Sequence, residues 1–208
     1  MHRLRETVGN YYSDKLKRHG AAPRGVDWSS TASQFLRFAQ LMKICDFDRP
    51  FSLNDFGCGY GALLAYLADR HASAVVTYRG IDIAPDMITA ARHRWERAPS
   101  AEFAVGSLCG HAADYSVASG VFNVRLGWPV AGWEAYVESI LSDLHASSRI
   151  GFSVNFMSPL ADAAAGENLY RAEPKRWIGF CRDHLGCEVE HISGYGLPEF
   201  TLLVRQRG

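Results

Sequence analysis

The sequence predicts an α/β protein: a doubly wound, seven-stranded, mostly parallel sheet that ends in an antiparallel hairpin, with an N-terminal helical cap. Three observations carry this expectation. From Phe51 onward, short apolar runs alternate with amphipathic stretches, the pattern of strands crossed over by helices. The first run breaks into Gly57-Cys58-Gly59-Tyr60-Gly61, a strand-to-helix turn. The last two runs, 188–192 and 200–205, are joined only by Gly194-Tyr195-Gly196-Leu197-Pro198, so they pair as a hairpin.

The elements follow in order. Residues 1–50 are expected to form a helical cap or lid, and 51–208 the main domain. Positions 1–24 are basic, with turn signals at Gly20, Pro23 and Gly25. From Ser30 the spacing of Phe35, Leu36, Phe38, Ala39, Leu41 and Met42 predicts a helix of about three or four turns. Ser29, Ser30 or Thr31 is its N-cap. Strand one is 51–56, and a helix follows from Ala62 to about Arg70. Strand two is 78–83. Pro85, whose missing N–H costs nothing at a first helical position, opens a helix to about Arg97. Strands three and four are 101–105 and 115–119, a helix spans 133–144, and strand five is 149–156. Residues 157–172, rich in Ala, Gly and polar residues, read as an insertion or lid; Pro174 opens the last helix, which ends near Leu185-Gly186.

Composition narrows the function. The 208 residues are 48% hydrophobic and 21% charged, so the chain has the material for a core and disorder is not its theme. Lys plus Arg is 22 and Asp plus Glu is 22. A protein that grips nucleic-acid backbone usually shows a basic excess, so this balance argues against that partner. No apolar run approaches the ~18 residues of a membrane span. Five cysteines at irregular spacing make no C-x-x-C pair and no zinc pattern. Reduced thiols in a cytoplasmic compartment are the expectation, with no secretory signal and no metal.

The chemistry concentrates in Asn54-Asp55-Phe56-Gly57-Cys58-Gly59-Tyr60-Gly61-Ala62. The glycines let a ligand approach the backbone, and the helix N-terminus then faces it. Asp82 lies 21 residues after Gly61, at the end of the next strand, where a carboxylate accepts hydrogen bonds from a ribose diol. The stretch also satisfies G-x-G-x-x-A, the dinucleotide fingerprint, which keeps an NAD(P)-dependent oxidoreductase open. Asp55 weighs against that reading, since its charge would repel a pyrophosphate and instead suits an ammonium or a sulfonium.

Asp55-Phe-Gly-Cys-Gly-Tyr-Gly61 together with Gly80-Ile-Asp-Ile-Ala-Pro-Asp-Met-Ile88 resembles the first two motifs of the class I S-adenosylmethionine-dependent methyltransferases, a Rossmann-like family. The resemblance runs from about 51 to 156, and the closing hairpin is similar to the family's terminal strands. It implies S-adenosyl-L-methionine as cofactor. It places Asp55, Gly57, Gly59 and Gly61 beside the methionine part, Asp82 on the ribose and Ile83 on the adenine. The family's acidic residue after strand three is replaced here by Gly106-Ser107-Leu108, leaving Ser107 or the Leu108 backbone for the adenine amino group.

The acceptor side is less marked. The Asn/Asp-Pro-Pro-Tyr/Phe motif of members that act on nucleobase or glutamine nitrogens is absent from Ser119-Gly120-Val121-Phe122-Asn123, which points to a small-molecule acceptor. Asn123 touches a substrate or the methionine end, or stabilises a turn; Asn155 stands at the same edge or caps a loop. Tyr170 and Trp177 wall a pocket or fill the core. In the N-terminal segment Tyr11, Tyr12, Trp28, Gln34 and Arg37 are the candidates, with Arg37 expected to pair with the methionine carboxylate. Tyr12 and Asn123 are the candidate catalytic groups. The lack of an acceptor motif also leaves open an enzyme that cyclises the cofactor itself, and the basic N-terminus an RNA-binding relative without turnover.

Overall fold

The computed structural model describes residues 2–98, 100–159 and 168–207. Its centre is one seven-stranded sheet: β1 (Phe51–Phe56), β2 (Val76–Asp82), β3 (Ala101–Val105), β4 (Ala113–Ala118), β5 (Ser148–Met157), β6 (Glu188–Ser193) and β7 (Glu199–Arg205), in the order β3-β2-β1-β4-β5-β7-β6. β1 to β5 are parallel to one another, and β7 inserts antiparallel between β5 and β6. The expected closing hairpin is therefore present, seated with its second strand inward. Strand order reverses between β1 and β4. That switch point opens a crevice at the carboxyl ends of the strands, where sheets of this kind bind ligands.

Both faces are covered, and side-chain parity shows it. Leu53, Tyr115, Val117 and Leu203 point into one apolar cluster with α2 (Thr31–Leu41), α3 (Ala62–Arg70) and α4 (Pro85–Arg94). Phe56, Ala118, Leu202 and Val204 point into the other, with α5 (Val130–Ala146) and α6 (Pro174–Gly179). Neighbours along a strand face opposite ways, so the two clusters lie on opposite faces.

Local sequence accounts for the helix starts. Ser30 caps α2 in a capping box with Ser33: each side chain meets the other's backbone amide. Pro85 sits in the first turn of α4. α6 widens into a π-helical turn over Phe180–His184. Among the described residues, no helix is long and apolar enough to cross a membrane.

The N-terminal part is helical, as expected, and the basic stretch that opens it forms an 18-residue helix, α1 (His2–His19), whose bounds the sequence did not mark. Its buried side chains Leu4 and Val8 belong to the α5–α6 cluster, against which Tyr12 also packs. A 3-10 turn, Pro23–Val26, then leads to Asp27 in the left-handed region at φ 62°. The Tyr11 hydroxyl donates to Asp27 at 2.8 Å and the Lys15 ammonium pairs with it at 2.6 Å, so α1 pins this turn. Part of the insertion expected over 157–172 lies outside the described residues. Its flanks are stitched to the sheet: the Tyr170 amide donates to the Asn123 carbonyl and the Ala172 amide to that of Met157.

Candidate functional site

The site grows from the turn between β1 and α3. Gly57 and Gly59 have φ of 74° and 54°, backbone that side chains rarely adopt. A Cβ on Gly57 would also stand 2.5 Å from the Val121 side chain. The loop is stitched to the end of β2. Gly57 and Cys58 amides donate to the Ile81 carbonyl at 2.7 and 3.0 Å, and the Gly59 amide donates to the Asp82 carboxylate at 2.9 Å. Gly61 caps α3, and its carbonyl accepts from the Trp95 indole at 3.0 Å. The first turn of α3 offers amides that intrahelical bonding leaves open.

Two buried carboxylates flank this loop. Asp55, at the end of β1, accepts the Tyr78 hydroxyl at 2.5 Å. Burial raises its pKa to about 7; the Tyr78 hydrogen bond pulls it down, and the nearby Asp82 charge pushes it up. Asp82 accepts Gly59 on one oxygen and the Ala84 amide, at 2.8 Å, on the other. Burial raises its pKa as well, opposed by its hydrogen bonds from the Ala84, Gly59 and Ile83 backbone. A carboxylate has about four lone-pair sites, so each Asp82 oxygen keeps capacity for a hydroxyl donor.

Both carboxylates line one cleft. Its floor is the glycine loop and Ser119–Val121 after β4; its roof is Val8 and Tyr12 of α1, with Val26 and Trp28 of the pinned turn. Ile83 lines it beside Asp82, and Gln34 of α2 and Tyr60 of the loop stand together, the Tyr60 hydroxyl donating to Gln34 Oε1 at 3.2 Å. Among the described residues, no Lys, Arg or His side chain lines it. Tyr12 stands near Asp82 and Tyr136; burial, then the charges around it, raises its hydroxyl pKa well above the ordinary value, so it stays protonated and is no general base.

The structure thus brings Tyr12, Asp55, Gly57, Gly59, Asp82 and Ile83 to one cleft, with Gly61 at its edge. It places the other candidates elsewhere. Arg37 is turned away: its guanidinium is held by the Glu199 carboxylate and the Ser33 carbonyl, so its charge is spent inside the protein. Ser107 and Leu108 follow β3 outside the lining, and Leu108 is 46% exposed. Asn123 is buried behind the floor, where its Oδ1 accepts the Met157 amide at 3.1 Å and braces the turn after β4 against β5. Tyr170 and Trp177 are core residues. Among the lining residues that the sequence reading missed are Tyr136, which carried no signal, and Val8, whose signal was its place four residues before Tyr12 on one helix face.

Comparison with known proteins adds the context. A family model described as a methyltransferase domain matches residues 54–145, the span from the first strand through α5. A protein of Mycobacterium tuberculosis, provisionally named a methyltransferase, is 43% identical over 166 residues, covering 79% of this chain and 99% of its own. Among solved structures, magnesium protoporphyrin IX methyltransferase from Synechocystis, crystallised with bound S-adenosylhomocysteine, superposes with a TM-score of 0.69 at 16% identity over 97% of this chain and 99% of that one. Human N-acetylserotonin methyltransferase, in complex with S-adenosylmethionine, superposes with a TM-score of 0.68 at 14% identity over 98% of this chain and 59% of that one. At such identities these two likenesses speak for the fold.

Proposed function

The chain belongs to the class I S-adenosylmethionine-dependent methyltransferase family, and we propose that it delivers the methyl group to a small-molecule acceptor inside the cleft roofed by α1 and the Pro23–Trp28 turn. The observation that carries the reading is the pair of carboxylates, Asp55 and Asp82, on either side of one glycine loop in one cleft. S-adenosylmethionine supplies an electrophilic methyl group on a sulfonium. The residues present fit that group. Asp82 has lone pairs left for the ribose hydroxyls, and Ile83 offers an apolar surface beside them. Asp55 faces the positive end: a cation beside a carboxyl of raised pKa favours its ionised form.

With Arg37 committed to Glu199, the donor's own carboxylate falls to neutral groups in this reading. The Gln34 amide nitrogen, the amides of the glycine loop and the Tyr60 hydroxyl are the donors at hand. The protein's work is then orientation and exclusion of water, since an in-line displacement with a good leaving group gains most from holding the reactants in line. Tyr12, kept protonated, hydrogen-bonds and orients rather than removing a proton. Residues 1–50 act as the lid.

Two features support a small acceptor. α1 and the Pro23–Trp28 turn roof the cleft over the glycine loop. The chain also carries no basic excess for a nucleic-acid backbone. The test is incubation with donor labelled in the transferred methyl group and a cell extract separated by size. Label in the low-mass fraction is expected; label confined to RNA or protein would overturn the acceptor class. Methylthioadenosine released from the donor alone would point instead to intramolecular cyclisation.

A further inference from the structure

Behind the part of the cleft lined by Trp28 and Gly120 lies a closed circuit of contacts that Asp55 and Asp82 do not join. Arg37 of α2 and Glu199 of β7 are 162 residues apart in sequence and 7% and 4% exposed. Arg37 Nε donates to both carboxylate oxygens, at 2.9 and 2.8 Å, and Nη2 donates to Oε1 at 2.5 Å. Asn155 of β5, fully buried, donates from Nδ2 to the other Glu199 oxygen at 2.7 Å. Asn155 Oδ1 in turn accepts the Gly120 amide at 2.7 Å. The circuit returns through Trp28: its ring lies 3.8 Å under the Arg37 guanidinium, and its edge occupies the space a Cβ on Gly120 would need. Trp28 and Gly120 both line the cleft; the charges stay behind them.

We propose that Glu199 is a positioning residue, which through Arg37 fixes Trp28 of the roof and through Asn155 fixes Gly120 of the floor, so that roof and floor meet at Trp28 and Gly120 in one geometry. A buried ion pair adds little net stability compared with apolar residues of the same volume. Its hydrogen bonds, in contrast, are directional, and the guanidinium fork holds a carboxylate in one orientation. Here that orientation reaches the cleft by two independent routes. In-line transfer rewards such rigidity, because displacement of a reactant by ~1 Å can cost ~10²-fold in rate.

The test compares the wild-type protein with the Arg37→Met/Glu199→Leu double variant, in which neither charge of the pair is left unpaired. Glu199→Gln serves as a second variant, measured well below its melting temperature. Two readouts are taken: amide hydrogen exchange of residues 118–122 without ligand, and calorimetric affinity for S-adenosylhomocysteine. Both variants are expected to remain folded by circular dichroism, to exchange residues 118–122 roughly tenfold faster, and to bind roughly tenfold more weakly, the range of coupling in one hydrogen-bonded network. A purely structural pair would lower the melting temperature and leave affinity untouched. Wild-type exchange or wild-type affinity in a folded variant would overturn the proposal. Only the ligand arm rests on the methyl-donor reading. If the wild-type protein itself failed to bind, that reading would fall, and the exchange arm would judge the clamp alone.

Discussion

The Gly59 amide donates to the Asp82 carboxylate over 2.9 Å, so the glycine loop and the carboxylate that the proposed reading assigns to the donor's ribose are one mechanical unit. Asp82 also holds the Ala84 amide at the start of α4. Asp82→Ala therefore removes more than a ligand contact: it leaves two backbone amides without their acceptor. The expected cost is about 2–4 kcal/mol of stability and roughly a hundredfold in affinity for S-adenosylhomocysteine, from hydrogen bonds to a charged group. Asp82→Asn, which keeps one acceptor oxygen, should lose about half as much stability. Urea denaturation and calorimetry on the same samples check both numbers.

Asp55 gives the site a pH dependence whose sign is fixed by burial. Its carboxyl titrates near pH 7 rather than at the ordinary 3.8, with Tyr78 and Asp82 as the groups that face it. The folded state thus holds this proton more tightly than the unfolded chain. The associated stability is full below pH ~4 and is lost as pH rises through about 7. Ligand affinity runs the other way, because the ionised form is the one that meets an ammonium. Affinity for S-adenosylhomocysteine should fall by up to about tenfold per unit below pH 7, and Asp55→Asn should flatten the profile. Calorimetry between pH 5.5 and 7.5 reads it; a flat wild-type profile would remove the assigned role.

Gly120 tests the contact between roof and floor from the other side. Its φ is 72°, and a Cβ there would overlap the Trp28 ring. Gly120→Ala should cost about 1–3 kcal/mol through backbone strain and overpacking. It should also displace Trp28, seen as a changed indole emission in the variant relative to the parent.

Asn123 is expected to behave as a brace. Its Oδ1 holds the Met157 amide, and it does not line the cleft. Asn123→Ala should lower stability by about 1–2 kcal/mol and leave affinity for S-adenosylhomocysteine unchanged. Paired denaturation and binding curves decide it.

The donor half of the molecule was legible because its chemistry is local. Gly57, Gly59, Asp55 and Asp82 sit at strand ends whose apolar runs mark them. The acceptor half was legible only in part. A helical cap was expected, but the bounds of α1 were hard to read in a basic, polar stretch: its apolar face is one narrow stripe, buried Leu4 and Val8 and partly buried Tyr12, at a spacing of four. Arg37 was misplaced for a different reason. A cation near a cofactor cleft suggests an anionic ligand, but its partner Glu199 is the first residue of the last strand, and nothing local in sequence joins the two. Ser107 and Leu108 were assigned by resemblance to the family's position after strand three; the loop that carries them stands clear of the lining.

The central claim is that the cleft between the glycine loop and α1 takes S-adenosylmethionine, and direct calorimetry on the purified protein tests it most simply. The account predicts saturable one-to-one binding of both the methyl donor and S-adenosylhomocysteine, abolished or strongly weakened by Asp82→Ala and unaffected by NAD or NADP. Absence of heat from either ligand at millimolar concentration, or binding displaced by NAD, would contradict it.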